Sequence, residues 1–224
     1  MDPLTVPLPE SWACRVDLPG WILYFTRLSL RDDFDPARLD AALKTVETEL
    51  PGRAPGGDLS AHPVLRDLRE LFKAAGTSPS RYRPSSEALA RRVLKGEGLP
   101  RISPLVDFNN YLSVATLWPC CVMKPAAVAW PLFFRRGRAG ERLNGLRGPF
   151  DLEGKPTLVD TLGPFGTPIT DDHRVVLEPG DREALLVTYL PVGDATDPGE
   201  ACRFHADRVG GIGVSEGRAF AARP

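Results

Sequence analysis

Arg81-Tyr-Arg-Pro-Ser-Ser-Glu-Ala-Leu-Ala-Arg-Arg-Val-Leu-Lys-Gly-Glu-Gly-Leu-Pro-Arg-Ile-Ser-Pro-Leu-Val-Asp-Phe-Asn-Asn-Tyr111 reads as two helices joined by a Gly/Pro hinge. In the first, Ser85 or Ser86 can serve as N-cap behind Pro84. Glu87 places a carboxylate in the opening turn, near the positive end of the helix dipole. Leu89, Val93 and Leu94 predict an apolar face, while Arg91, Arg92 and Lys95 lie near the C-terminal end, where cations are favoured. Gly96, Gly98 and Pro100 stop the helix. The second run, 105–118, carries Asp107, Asn109 and Asn110 among residues that otherwise want burial. Leaving a buried amide unpaired costs about 1–3 kcal/mol. Two adjacent amides in an apolar helix therefore imply a polar network or a pocket.

Outward from this pair, Val64, Leu65, Leu68, Leu71 and Phe72 recur at helical spacing behind Pro63, and Gly76 closes that helix. Residues 53–60 form a Gly/Pro loop. Asp35-Pro36 opens another helix with Leu39, Leu43, Val46 and Leu50 on one side, which Pro51-Gly52 is expected to end. Branched and aromatic residues predict a buried strand over 21–28, with a weaker one near 12–16. Past Trp118, strands are expected at 119–123 and 130–134, then a basic turn at 135–140. Residues 152–166 read as a loop with a weak strand at 157–159. Pro179-Gly180-Asp181 makes a turn before the clearest late strand, 184–190. A short helix over 200–209 is broken by Gly210-Gly211, and a last strand is expected over 214–220. Helices gather in the first half and strands in the second, so the expected fold class is α+β in a single domain. Residues 1–60 form an N-terminal strand/helix extension on the same core, and 61–224 the main body.

The 224 residues suffice for one substantial core without requiring a second. A net charge of −1 argues against a strong nonspecific nucleic-acid binder but leaves room for a basic face beside an acidic one. No apolar run is long enough to cross a membrane, and residues 1–9 lack the charged and apolar regions of a signal peptide. Cys14, Cys120, Cys121 and Cys202 show no C-x-x-C spacing and the three histidines are scattered, so neither a metal site nor a bound cofactor is expected. Adjacent Cys120 and Cys121 would make a strained disulfide, which favours reduced thiols and a cytoplasmic setting. The glycines form no G-x-G-x-x-G or Walker loop, and no G-x-S-x-G or H-E-x-x-H is present.

Two segments carry a resemblance. Pro84-Ser85-Ser86-Glu87-Ala88-Leu89, followed by Val106-Asp107-Phe108-Asn109-Asn110-Tyr111, resembles stand-alone relatives of the phenylalanyl-tRNA synthetase beta-subunit editing domain, the B-three/B-four tRNA-binding-like domain. The family's second segment reads V-D-x-T-N-Y, so Asn109 replaces its Thr. In the following Q-P-M-H-A-F-D motif, Pro119 matches the Pro and Cys121 stands where the His belongs. Gly140-Glu141-Arg142-Leu143 with Leu146-Arg147-Gly148 is similar to G-E-x-L-x-x-L-D-G, with Arg147 in place of Asp. The resemblance spans residues 65–190. It implies trans-acting hydrolysis of a mischarged aminoacyl-tRNA, with the tRNA acceptor end as partner. The alternative it leaves is a noncatalytic module that binds an amino acid or an RNA end. No aminoacylation core fits in this length, so a synthetase is not expected.

On this resemblance Asn109 and Asn110 line the cavity for the aminoacyl group, with Cys121 and His173 as further substrate contacts. A site built to pair a hydroxyl rejects an analogue lacking it, because its polar groups are left unsatisfied. Cys121 would need a lowered pKa to act as a nucleophile, and a buried inert thiol is the alternative reading. Asp171, Asp172 and Glu141 are the candidates for placing water. On an extended chain Asp171 and His173 would share one face and Asp172 the other. An already activated ester can be cleaved by positioned water, with stabilisation of the oxyanion. Arg81, Arg83, Arg91, Arg135 and Arg136, with Arg92 and Arg138 nearby, are the candidate phosphate contacts, because a guanidinium fork binds phosphate oxygens bidentately.

Overall fold

The computed structural model describes residues 12–222, so the reading of residues 1–9 falls outside the described residues. The chain begins with β1 (Cys14–Val16), β2 (Trp21–Leu30), α1 (Pro36–Arg53), α2 (Pro63–Ala74), α3 (Ser85–Leu94) and α4 (Pro104–Thr116). Then come β3 (Cys120–Met123), β4 (Leu132–Arg136), β5 (Arg142–Gly145), β6 (Gly148–Asp151), β7 (Pro156–Asp160) and β8 (Gly163–Gly166). The chain closes with β9 (Glu183–Pro191), α5 (Pro198–Val209), β10 (Ile212–Val214) and β11 (Arg218–Ala221). The architecture is mixed α+β. Helices lie mostly early and strands mostly late, with the central strand β2 and the late helix α5 as exceptions.

The aromatic and branched run of β2 pairs antiparallel with β9 from Trp21 opposite Pro191 to Ser29 opposite Glu183. β10 and β11 flank β2 on its other edge and β3 pairs with β9, giving a large antiparallel sheet. A second sheet runs β1-β4-β7-β8, with β1 parallel to β4 and the other pairs antiparallel. Side chains alternate across a strand, so the register sorts the large sheet into two faces. Phe25, Val187 and Cys121 share one face, with Leu23 and Tyr189. This face meets the second sheet: Phe134 lies 5.7 Å from Tyr189 and 5.5 Å from Trp21, ring centre to ring centre. Tyr24, Thr188 and Cys120 share the opposite face, which α4 and α5 cover, and α1 and α3 pack on α4. The order is helices, sheet, sheet. Phe72 of α2 closes one end of the inter-sheet core against Trp21, 5.8 Å away.

Several local expectations are corrected. Neither Ser85 nor Ser86 caps α3, because Pro84 holds the N-cap position. Ser86 is buried and its hydroxyl donates to the Leu117 carbonyl at 2.8 Å, which ties α3 to the end of α4. Leu117 adopts the left-handed conformation (φ 62°), and that geometry ends α4 and turns its carbonyl away from the helix ladder. The inward face of α3 is Ser86, Glu87, Ala90 and Val93, with Leu89 and Leu94 only half-buried. Helix α1 does not stop at Pro51 but continues to Arg53, whose guanidinium donates to the carbonyls of Val114 (3.1 Å) and Ala115 (2.9 Å). The orphan carbonyls of α4 thus find a partner. The expected loop 152–166 holds β7, where a weak strand was expected at 157–159, paired with β8, which was not expected. β7 is buried on both faces, so it lacks the alternation that reveals a half-exposed strand. The β5–β6 hairpin was not expected either.

Candidate functional site

Cys121 points into the inter-sheet space, where its thiol meets Asp171 on the segment following β8. Sγ donates to Oδ2 at 2.6 Å. Asp171 is brought there by β8 turning back on itself, through a bridge between Gly166 and Asp171. Gly166 is required by close approach, since a Cβ there would lie 2.9 Å from Asp171 Oδ1. Oδ1 is shielded from solvent and makes no hydrogen bond. Burial pushes the Asp171 carboxyl up to about 7, against the opposing pull of the Cys121 thiol and the Thr167 N–H. Burial likewise raises the Cys121 thiol well above its ordinary value, with Asp171 adding to the effect. An acid faces this thiol, so it is kept protonated and is not a nucleophile of the lowered-pKa kind. Tyr189 shares this face with its hydroxyl unpaired, and burial raises it too. The sequence reading missed Tyr189. Its one signal was a phenol inside a mostly aliphatic strand.

Asp171 and Asp172 are extended, but His173 enters a 3-10 turn, so Asp171 and His173 do not share a strand face. Asp172 caps a short 3-10 turn, His173–Val175, accepting from Arg174 N at 2.9 Å, and its other oxygen accepts from Asn144 N at 2.7 Å. His173 is exposed, and Asp171 rather than His173 partners the Cys121 thiol. Glu141 grips Arg135 with both oxygens (2.7 and 2.9 Å), which lowers its carboxyl below the ordinary value. Asp172 therefore braces β5, and Glu141 ties the start of β5 to Arg135 of β4.

Asn109 and Asn110 are both buried on α4. That helix covers the opposite face of the large sheet: Ser113, one turn after Asn109, reaches Cys120, and Cys120 points away from Cys121. The structure brings Cys121 and Asp171 together and keeps them separated by the sheet from the two amides. Asn109 Oδ1 and Ser113 Oγ are buried without hydrogen bonds.

The arginines divide. Arg91 Nε donates to Glu87 at 2.8 Å and Arg83 lies 3.9 Å from it, while Arg69 holds both oxygens of that fully buried carboxylate. Arg135 is engaged by Glu141, and Arg136 Nε donates to the Ala75 carbonyl at the end of α2. Arg81 is exposed, with its guanidinium over the Tyr82 ring at 5.2 Å. No group of three or more His, Cys, Asp or Glu among the described residues is placed to hold a metal ion. No helix among them is long and apolar enough to cross a membrane.

Residues 67–174 match the family model of the B3/4 domain. The match runs from α2 through β8 and takes in Asn109, Asn110, Cys121 and Asp171. In comparisons of structure, the chain is similar to an N-terminal fragment of the phenylalanyl-tRNA synthetase beta-subunit from Pyrococcus horikoshii, at 11% identity and a TM-score of 0.44. That similarity covers 94% of this chain and 53% of the other, so the chain spans about half the length of the fragment it matches. No curated protein matches the sequence.

Proposed function

We propose, for a chain whose residues 67–174 are a B3/4 domain, that it binds an aminoacyl-tRNA end and hydrolyses a mismatched aminoacyl ester in trans. The observation that carries this reading is Asp171, with one oxygen on the Cys121 thiol and the other unpaired. A general base works best with a pKa near the operating pH, and burial has set this one at about 7. In the reaction Asp171 takes a proton from water as the water oxygen attacks the ester carbonyl. The bond to the ribose oxygen then breaks, and the proton passes to that oxygen. Cys121 orients the carboxyl and forms no covalent intermediate. Asn109 and Asn110, across the sheet, can contact substrate only if the ligand reaches the helix layer. Four buried free thiols suit a cytoplasmic setting.

A second reading is favoured by the same burial. Asp171 Oδ1 and Asn109 Oδ1 are both buried acceptors without a donor, which an amino acid or an RNA end would supply in a noncatalytic module. Single-turnover deacylation against a panel of mischarged tRNAs separates the two. Turnover of at least one above the buffer rate supports hydrolysis, whereas saturable binding with no turnover supports the binding module.

A further inference from the structure

The inter-sheet space holds two buried polar atoms that make no hydrogen bond. One is the Tyr189 hydroxyl, on a side chain fully closed to solvent, and the other is Asp171 Oδ1. Orphaned polar atoms are rare in protein interiors, and an ordered water is a common reason for one. Tyr189 is also the one titratable side chain of this space that the hydrolysis scheme leaves without a task.

The strand register relates the two atoms. Directly opposed residues of antiparallel strands share a face. Phe134 of β4 is opposite Leu158 of β7, Leu158 is opposite Gly166 of β8, and Gly166 bridges to Asp171. These four make one row across the second sheet. In the large sheet, Cys121 of β3 is opposite Val187 of β9, and Tyr189 comes two residues later on the same face. The sheets touch along that row at two points. Tyr189 packs on Phe134, 5.7 Å between ring centres, and Cys121 donates to Asp171 at 2.6 Å. Between those contacts stands Gly166, which has no side chain to fill the row. Asp171 Oδ1 leans over it, since a Cβ there would lie 2.9 Å from that oxygen. The phenol senses the same group: burial raises it well above its ordinary value, and Cys121 and Asp171 raise it further.

We propose that Tyr189 is a positioning residue, whose phenol oxygen and Asp171 Oδ1 hold between them, over Gly166, the water that attacks the ester. The inference rests on the reading of Asp171 as the base. The water donates one hydrogen to Tyr189 Oη and the other to Asp171 Oδ1, which leaves a lone pair for the ester carbonyl. As the new carbon–oxygen bond forms, Asp171 takes the proton that it already accepts, and that proton later goes to the departing ribose oxygen. Tyr189 keeps its own proton throughout. Asp171 is half-buried as a residue while its Oδ1 is shielded. The water is therefore held from the core side, and the ester arrives from the solvent side. A buried water needs roughly two or more polar partners, and these atoms supply them.

Two measurements test the proposal. A high-resolution crystal structure of the protein should show one water within about 3 Å of both Tyr189 Oη and Asp171 Oδ1. Tyr189→Phe keeps the ring on Phe134 and removes only the oxygen. Its single-turnover deacylation should be about tenfold slower or more, at an unchanged half-saturating concentration of mischarged tRNA. A merely structural hydroxyl would change melting and leave the rate per folded molecule alone. Gly166→Ala puts a methyl in the water's place and should slow the rate similarly, so it decides if Tyr189→Phe does not fold. Density without a water there, or a Tyr189 hydroxyl bonded straight to Oδ1, would overturn the proposal. A wild-type rate in folded Tyr189→Phe would overturn the Tyr189 assignment and leave Asp171 as the base. A wild-type protein that cleaves no ester would overturn the base reading itself, and the role of Tyr189 with it.

Discussion

Burial raises the Asp171 carboxyl, and this makes folding depend on pH. Its value in the fold is about 7 against an ordinary 3.8, so the folded chain holds the proton more tightly than the unfolded one. The stabilisation is full below about 4 and is lost as pH rises through about 7. Asp171→Asn replaces the protonated acid with an uncharged group of the same shape. The variant should melt close to wild type near pH 4 and above it at pH 8, by on the order of 1–4 kcal/mol. Equal melting of the two proteins at pH 8 would show that the fold does not raise the carboxyl. Cys121 is tested by a pair of changes. Cys121→Ala removes the donor to Oδ2 and should cost about 1–3 kcal/mol. Cys121→Ser keeps a donor there and should stay near wild type in both stability and turnover. A thousandfold loss of turnover in folded Cys121→Ser would make the thiol catalytic. The two residues could be singled out from sequence because each lies in a motif or an acidic cluster. Their partnership could not, since the contact spans 50 residues and exists only because β8 turns Asp171 back onto β3.

At the scale of elements, α3 and α4 are joined by polar contacts that a hydrophobic pattern does not reveal. The spacing of Leu89, Val93 and Leu94 located α3 correctly but turned its face wrongly, because Ser86 and Glu87 take the inward positions. Glu87 can be buried because Arg69 and Arg91 satisfy its oxygens. Removing the carboxylate strands Arg69, which is only 20% exposed. Glu87→Ala should therefore lower the unfolding free energy by about 3 kcal/mol, read from urea midpoints. A loss under about 0.5 kcal/mol would mean that the arginines relax into water. Strands β2 and β9 were legible because branched and aromatic residues fill them. β7 was only faintly legible, as a weak strand at 157–159, because Pro156-Thr-Leu-Val-Asp160 is buried on both faces and lacks alternation. The β5–β6 hairpin left a faint mark in Leu143 and the Asn144-Gly145 dipeptide, where Leu143 alone of β5's side chains turns to the core.

Across the described residues, 12–60 are woven into the core, since β2 lies between β9 and the β10–β11 edge. Unfolding should accordingly be one cooperative transition, with opposing pH effects from the two sides of the sheet. On the helix side, His205 accepts or donates to the Tyr111 hydroxyl at 2.8 Å. Burial, with Arg208 and Arg53 nearby, depresses it from 6.5 to about 4. A depressed value means stability that is full above 6.5 and lost as pH falls through about 4. His205 thus weakens the fold on acidification over the range in which Asp171 strengthens it. His205→Gln should remove the acid-side loss while leaving the alkaline side unchanged, as read from urea midpoints between pH 4 and pH 8. An unaltered acid limb in that variant would assign the loss elsewhere. The functional claim rests on the inter-sheet carboxyl, and single-turnover deacylation of mischarged tRNAs by wild type and Asp171→Asn, from pH 5.5 to pH 8.5, tests it most directly. The account predicts that at least one ester is cleaved above the buffer rate, with the rate rising through about pH 7, and that folded Asp171→Asn loses at least a hundredfold. Decay of every ester at the buffer rate, or an Asp171→Asn protein as fast as wild type, would contradict it.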